Sequence, residues 1–339
     1  LAHHITHVHV TVDTEFSAGG MFQKPGRAPF TDKMVHCWVN GEDHGIGFIA
    51  DTLSGHGGTA TFFLEGLNRY YFGPDTMAPM AQFLRQAKQD VQLHMHPFWQ
   101  VFEDDPTVEP SSLDPNDHLV GRSLESYKAM LNYGIESFKL WGLDRPIALR
   151  AGCMTADLGL YEAQNACGIP LASNVCRAIW EPQDAEQRVN LSPRCLHGVW
   201  EYPVASFQAG IGGKSAARPL QITSSNVAEM RAVLAQAHAE GIDDVVILTH
   251  PFEFIKATDW RYEKVKPNAI NQRRLKGLCA FVAGDDRFEF STFSALHKRL
   301  AQAVDTPNCD VADPVVKAPA LATARRMLEN ALNDRVWAI

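Results

Sequence analysis

Two imidazoles in Gln92-Leu93-His94-Met95-His96-Pro97 stand at i and i+2. In an extended chain side chains alternate, so His94 and His96 share one face while Leu93 and Met95 take the other. Imidazoles paired in this way make a bidentate nitrogen donor for zinc or a similar ion. A second stretch, His7-Val8-His9-Val10-Thr11-Val12-Asp13-Thr14-Glu15, alternates valines with polar residues and ends in two acids at the same spacing. Carboxylates so close are costly to gather unless a cation or a proton offsets them. One carboxylate with two imidazoles leaves coordination open for water, the pattern of catalytic rather than structural metal sites.

Two further apolar runs end in chemistry-bearing side chains. Ile147-Ala148-Leu149-Arg150 ends in a guanidinium that can orient a carboxylate, and Val246-Ile247-Leu248-Thr249-His250 ends in an imidazole suited to ligation or proton transfer. No single stretch decides a function. Their force lies in four separate strand-like segments ending in Asp/Glu, His/His, Arg and His.

For such ends to meet, parallel strands must share one edge. Period-two runs predict strands over residues 5–13, 59–64, 91–96, 146–151, 169–173, 199–205, 245–250 and 288–292. Amphipathic helices are expected over 75–89, 124–141, 156–167, 226–240 and 271–282. This alternation implies a parallel sheet covered by helices, and the strand number suits a (β/α) barrel better than an open sheet. Long loops over 16–40 and 97–118 follow the carboxyl ends of the first and third strands, where this class places its binding cleft. The expected division is a barrel over 1–302, then a Pro-containing linker and an amphipathic helix within 303–339 that packs on the barrel or mediates a homo-oligomer contact.

The 339 residues carry 31 Lys plus Arg against 39 Asp plus Glu, a formal charge of −8. That balance argues against a nucleic-acid partner. No apolar run is long enough for a membrane-spanning helix. Seven cysteines form no CxxC pair, so neither a disulfide framework nor a thiolate zinc site is expected. The first ten residues lack the basic-then-apolar pattern of a signal peptide. A cytoplasmic location follows as an expectation. His3, His4, His7 and His9 are read as an N-terminal arm and a strand edge rather than a metal tract.

In order and placement these motifs resemble the polysaccharide deacetylases of carbohydrate esterase family four, the NodB-homology group. Thr11-Val12-Asp13-Thr14-Glu15 is similar to the first motif, His94-Met95-His96-Pro97 to the second, Arg150-Ala151-Gly152 to the third and Leu248-Thr249-His250 to the last. Thr59-Ala60-Thr61-Phe62-Phe63 is similar to the family's second strand. Thr14 stands where the family usually has its metal-binding Asp, and Gln92 where the first of its spaced histidines sits. The D-x-E and H-x-H pairing resembles a divergent branch linked to surface-glycan and O-antigen synthesis.

The resemblance implies a distorted (β/α)7 barrel and metal-dependent removal of N-acetyl, sometimes O-acetyl, groups from a sugar or polysaccharide. Glu15, His94 and His96 would hold a divalent ion, zinc by preference. Asp13 would be general base, His250 general acid, and Arg150 would hold Asp13. Leu248 would line the acetyl pocket, a backbone N–H near Gly152 and Cys153 would meet the oxyanion, and Glu65 would contact substrate. Three rival readings stand beside it. A two-carboxylate glycoside hydrolase leaves the three histidines unexplained. The second is a glycan-binding or assembly protein without catalysis, and the third a relative acting on a small amide.

Overall fold

A computed structural model describes residues 4–303 and 313–335. Its strands in chain order are β1 (Thr6–Thr14), β2 (Thr61–Glu65), β3 (Asp90–Met95), β4 (Ala148–Ala151), β5 (Leu171–Ala172), β6 (Arg194–Leu196), β7 (Val199–Glu201), β8 (Ser206–Ile211), β9 (Lys214–Pro219), β10 (Asp244–Thr249), β11 (Ile255–Ala257), β12 (Val265–Pro267) and β13 (Phe288–Phe290). The α-helices are α1 (Asp32–Val35), α2 (Ile46–Ser54), α3 (Arg69–Phe72), α4 (Ala78–Gln86), α5 (Leu124–Leu140), α6 (Leu158–Ala166), α7 (Val227–Ala239), α8 (Ala269–Ala283), α9 (Phe293–Gln302) and α10 (Ala320–Arg335). Each expected strand and helix has a counterpart here, with ends shifted by a few residues.

The strands β10-β1-β2-β3-β4-β5-β7 lie side by side and all run parallel. β6 closes the far edge antiparallel to β7. β13 pairs with the amino half of β1, and β2 pairs with its carboxyl half. The sheet curls into the distorted (β/α)7 barrel that the motifs imply. Its seam is the contact between β7 and β10. There the chain makes isolated parallel bridges, Val204 to Val246 and Gln221 to Leu248, in place of a ladder. Pro203 has no N–H to donate, which ends β7 short of the expected residue 205.

Alternation along the strands builds two apolar layers. Val8, Val10, Val12, Phe62, Leu64, Leu93 and Leu149 face outward and pack under the helices. Phe63, Ala148, Leu171, Val246 and Leu248 face inward with Tyr202 and Phe293. Phe293 enters from α9, a helix not foreseen in the sequence. Its N–H donates to the Thr61 hydroxyl at 3.0 Å and its ring meets Phe63 edge-on at 5.3 Å. This plugs the amino end of the barrel. His9, expected at a strand edge, is instead fully buried in that end, with Nε2 2.7 Å from Asp244 Oδ1. Parallel pairing to β10 on one side and β2 on the other makes β1 a central strand, and this is the reason.

The terminal helix α10 packs on α7 and α8 of its own chain through polar groups. Arg326 Nε donates to Glu229, Arg274 to Glu329 and Asn330, and Asn226 to the Ala322 carbonyl. Leu321, Leu328 and Leu332 are exposed on its outer side. No helix among the described residues is long and apolar enough to cross a membrane.

Candidate metal and proton-transfer site

The site forms where β1, β2, β3, β4 and β10 end. Register sets the layers: Asp13 lies beside Phe63, and Glu65, His94 and Arg150 are neighbours across β2, β3 and β4. Glu15 follows β1 directly and turns back over the mouth. Its Oε2 is 2.7 Å from His96 Nε2 and 3.4 Å from His94 Nε2.

Each imidazole is oriented from its other nitrogen. His94 Nδ1 lies 2.8 Å from the Arg150 carbonyl oxygen, and His96 Nδ1 lies 2.8 Å from Asp117 Oδ2. A carbonyl oxygen only accepts, so Nδ1 of His94 carries the proton and its Nε2 lone pair faces Glu15. With Asp117 accepting from His96, the same holds there. A bare lone pair facing a carboxylate is repulsive, so a proton or a metal ion must sit between them. Without a metal, burial opposes protonation of His96, but Glu15 and Asp117 outweigh it and hold its pKa well above the usual imidazole value. Burial likewise opposes ionisation of Glu15, and the two imidazoles overcome it, holding the carboxyl well below its usual range.

Glu65 joins this group from the end of β2. It is fully buried, Oε1 accepts the Leu67 N–H at 2.6 Å, and Oε2 has no hydrogen-bond partner. Burial raises its pKa to about 7. One donor atom each from Glu15, Glu65, His94 and His96 falls within 4.8 Å of all the others. An orphaned buried carboxylate oxygen, converging imidazole Nε2 atoms and a carboxylate held against them fit a divalent cation. The cluster can hold a metal ion.

Asp13 on β1 and His250 after the neighbouring strand β10 stand at the same mouth and are separately anchored. Arg150 is wholly buried, and its Nη1 donates to Asp13 Oδ1 at 2.7 Å. Its Nη2 donates to Thr11 and Ser173 hydroxyls at 3.0 and 2.9 Å, and its guanidinium lies 4.5 Å over the Phe63 ring. The charge-assisted bond fixes the Asp13 carboxylate in a site of 3 % exposure. His250 Nδ1 is 2.9 Å from Glu253 Oε1. Burial lowers the His250 pKa, but the Glu253 contact and the charges of Glu253, Asp13 and Glu15 prevail and raise it to about 9.

The other residues singled out in the sequence lie around the same mouth. Leu248 is buried on the inner face of β10. Gly152 backs directly onto His96: a Cβ there would stand 2.6 Å from Nδ1. Cys153 is exposed with φ +54°, and its Sγ is 3.4 Å from Asp117 Oδ2. Desolvation by the surrounding chain and the Asp117 carboxylate push its thiol up to about 11, away from the thiolate form. The two departures from the family pattern have structural roles. Thr14 bonds back to the Val12 carbonyl, and Gln92 Oε1 accepts N–H groups of Ile147 and Ala148 at the start of β4. Loops 16–40 and 97–118 meet over the mouth, with Phe22 packed on Phe98 and Phe102.

Asp117 and Glu253 were missed in the sequence. Asp117 sits in an irregular loop far from its partner. Glu253 stands at i+3 from His250, a spacing that a helical turn after the strand makes productive.

Neither a family model nor a curated protein matches this chain. Solved structures do. A Mycobacterium smegmatis protein assigned as a polysaccharide deacetylase is 16% identical, with a TM-score of 0.54 over 93% of this chain and 96% of its own. A family 4 carbohydrate esterase from Streptomyces lividans, in complex with acetate, is 11% identical with a TM-score of 0.40 over 86% of this chain and 94% of its own. A Bacillus anthracis pseudoenzyme of the same esterase family is 9% identical with a TM-score of 0.41, covering 86% of this chain and 66% of its own. The first of these shows that the chain has the polysaccharide deacetylase fold.

Proposed function

We propose that this protein is a metal-dependent deacetylase that hydrolyses the N-acetyl, or O-acetyl, group of a sugar or polysaccharide, its motif pairing favouring a surface glycan of the O-antigen kind. One observation supports this reading above the others. A cation-ready cluster of Glu15, His94, His96 and Glu65 shares the strand-end mouth with an anchored carboxylate, Asp13, and an anchored imidazole, His250, and each of these two has its own tether. Glu15, His94 and His96 would hold the ion, zinc by the family resemblance. When bound, such an ion supplies Lewis acidity that acidifies water and offsets charge on a carbonyl oxygen.

The chain's own groups do the rest. Asp13 accepts the proton of the attacking water, with Arg150 holding and aiming its carboxylate. A backbone N–H near Gly152 and Cys153 meets the developing oxyanion. His250, protonated below about pH 9 and steered by Glu253, delivers a proton to the leaving amine as the C–N bond breaks. Acetate and a free amine result. Leu248 shapes the space for the acetyl methyl.

The test is metal analysis of protein purified without chelator, paired with acetate release from a panel of N- and O-acetylated sugars. Bound divalent metal and released acetate are expected together. Asp13→Asn should lower kcat by at least about 10²-fold, the usual cost of a lost general base, while keeping its metal. Full turnover in Asp13→Asn would refute the assigned chemistry.

A further inference from the structure

Glu65 has no part in that proton inventory, and its position is too enclosed for a sugar to reach: the residue is 0 % exposed. We infer that Glu65 is a fourth protein ligand of the metal, so that the centre is a set of two carboxylates and two imidazoles. The inference rests on the metal reading above and goes further, since the motifs assign only Glu15, His94 and His96 to the ion.

Four observations carry it. Strand alternation puts Glu65 on the inward face of β2 with Phe63, and register puts it beside His94. The Leu67 N–H pins Oε1 at 2.6 Å, which fixes the plane of the carboxylate. Oε2 is buried and has no hydrogen-bond partner. A native fold rarely leaves a buried carboxylate oxygen without one, because the uncompensated desolvation is costly. Finally, this group joins Glu15 and both imidazoles within one 4.8 Å span. Two carboxylates and two neutral imidazoles also match the charge of a dication.

The ligand count has a chemical consequence. Four protein donors complete a tetrahedral zinc shell and leave no place for water. A hydrolytic centre with this set therefore needs an ion with more than four ligands: zinc expanded to five, or manganese(II), iron(II) or cobalt(II).

Cobalt(II) added to the metal-free full-length chain provides the probe, because its visible bands are weak at five or six ligands and intense at four. Wild type should bind Co²⁺ with weak bands. Glu65→Gln, which keeps the acceptor for Leu67, should bind at least about 10-fold more weakly, a loss that even an outer-shell change can cause, and with altered bands. A melting curve separates ligation from packing. Metal-free Glu65→Gln should melt at or above metal-free wild type, since a buried unpaired carboxylate is gone, yet gain less on adding Co²⁺. Equal affinity with unchanged bands would overturn the inference. So would a variant whose melting point falls equally with and without metal. If wild type itself binds no Co²⁺, Mn²⁺ or Zn²⁺, the metal reading fails first and this inference with it.

Discussion

At its amino end the barrel gathers His9, Asp244 and Arg299; at its carboxyl end it gathers His94, His96, Glu15, Glu65, Asp13 and Arg150. The residue types are alike, but the accounting of charge differs. At the amino end one carboxylate, Asp244, meets His9 Nε2 at 2.7 Å and the Arg299 guanidinium, while Arg299 also reaches the Ser291 hydroxyl. The arginine supplies the positive charge from within the chain. At the carboxyl end Arg150 is committed to Asp13. Among the described residues the other two carboxylates, Glu15 and Glu65, have no Lys or Arg partner, only the two imidazoles beside them, and an oxygen of Glu65 has nothing to bond. The contrast teaches that a buried cluster of histidines and acids indicates a ligand site only when its own cations do not already balance it.

The largest test of this contrast is paired. Arg150→Met leaves Asp13 buried and unpaired and should cost roughly 3–5 kcal/mol of unfolding free energy, the usual result of halving a buried ion pair. Asp244→Asn faces a partly exposed arginine and should cost about 1.5–2 kcal/mol, at the low end of the range for a hydrogen bond to a charged group, while metal affinity and turnover of the folded protein stay as in wild type. Urea titrations measure both. Loss of metal binding in Asp244→Asn would mean the two ends are not independent.

Next in size, Asp117→Asn weakens the bond that orients His96 and should lower metal affinity by about 10–100-fold, as outer-shell changes do; calorimetry reads this directly. The smallest effect is in the pH profile. His250 is raised to about 9, so it is in its acid form at neutral pH, and kcat should fall as pH rises past that value. The same sign applies to folding: the stabilisation is complete below the unfolded imidazole value and is lost as pH climbs through about 9. Glu253→Gln removes the main upward influence, so its alkaline limb should move toward neutrality. An unmoved limb would take the proton-donor role away from His250.

The barrel was legible because strands announce themselves by period two, and the same alternation located Asp13, His94, His96, Arg150 and Leu248 on inward faces. It located Glu65 too: in Thr61-Phe62-Phe63-Leu64-Glu65 the acid shares the side of Phe63. What alternation does not give is depth, and so Glu65 was expected to meet substrate instead of lying sealed beside His94. Asp117 could not be found this way, because a loop contact depends on where an irregular chain returns. The hairpin of β8 and β9 went unread although Gly212-Gly213 marks its turn. Helix α9 was equally unread, since its decisive contacts are with strand ends far away in sequence.

Around residues 152–154 glycine and side chain sit where local rules would exchange them. Cys153 and Met154 both have φ +54°, a region that favours glycine, and both carry side chains. Gly152 has no such backbone need, yet only a hydrogen fits between its Cα and the His96 ring. Two side-chain-bearing residues in the left-handed region thus follow directly on the glycine that lies flush against the imidazole. Any residue larger than glycine at 152 would press on that ring, tilt it and so disturb the cluster.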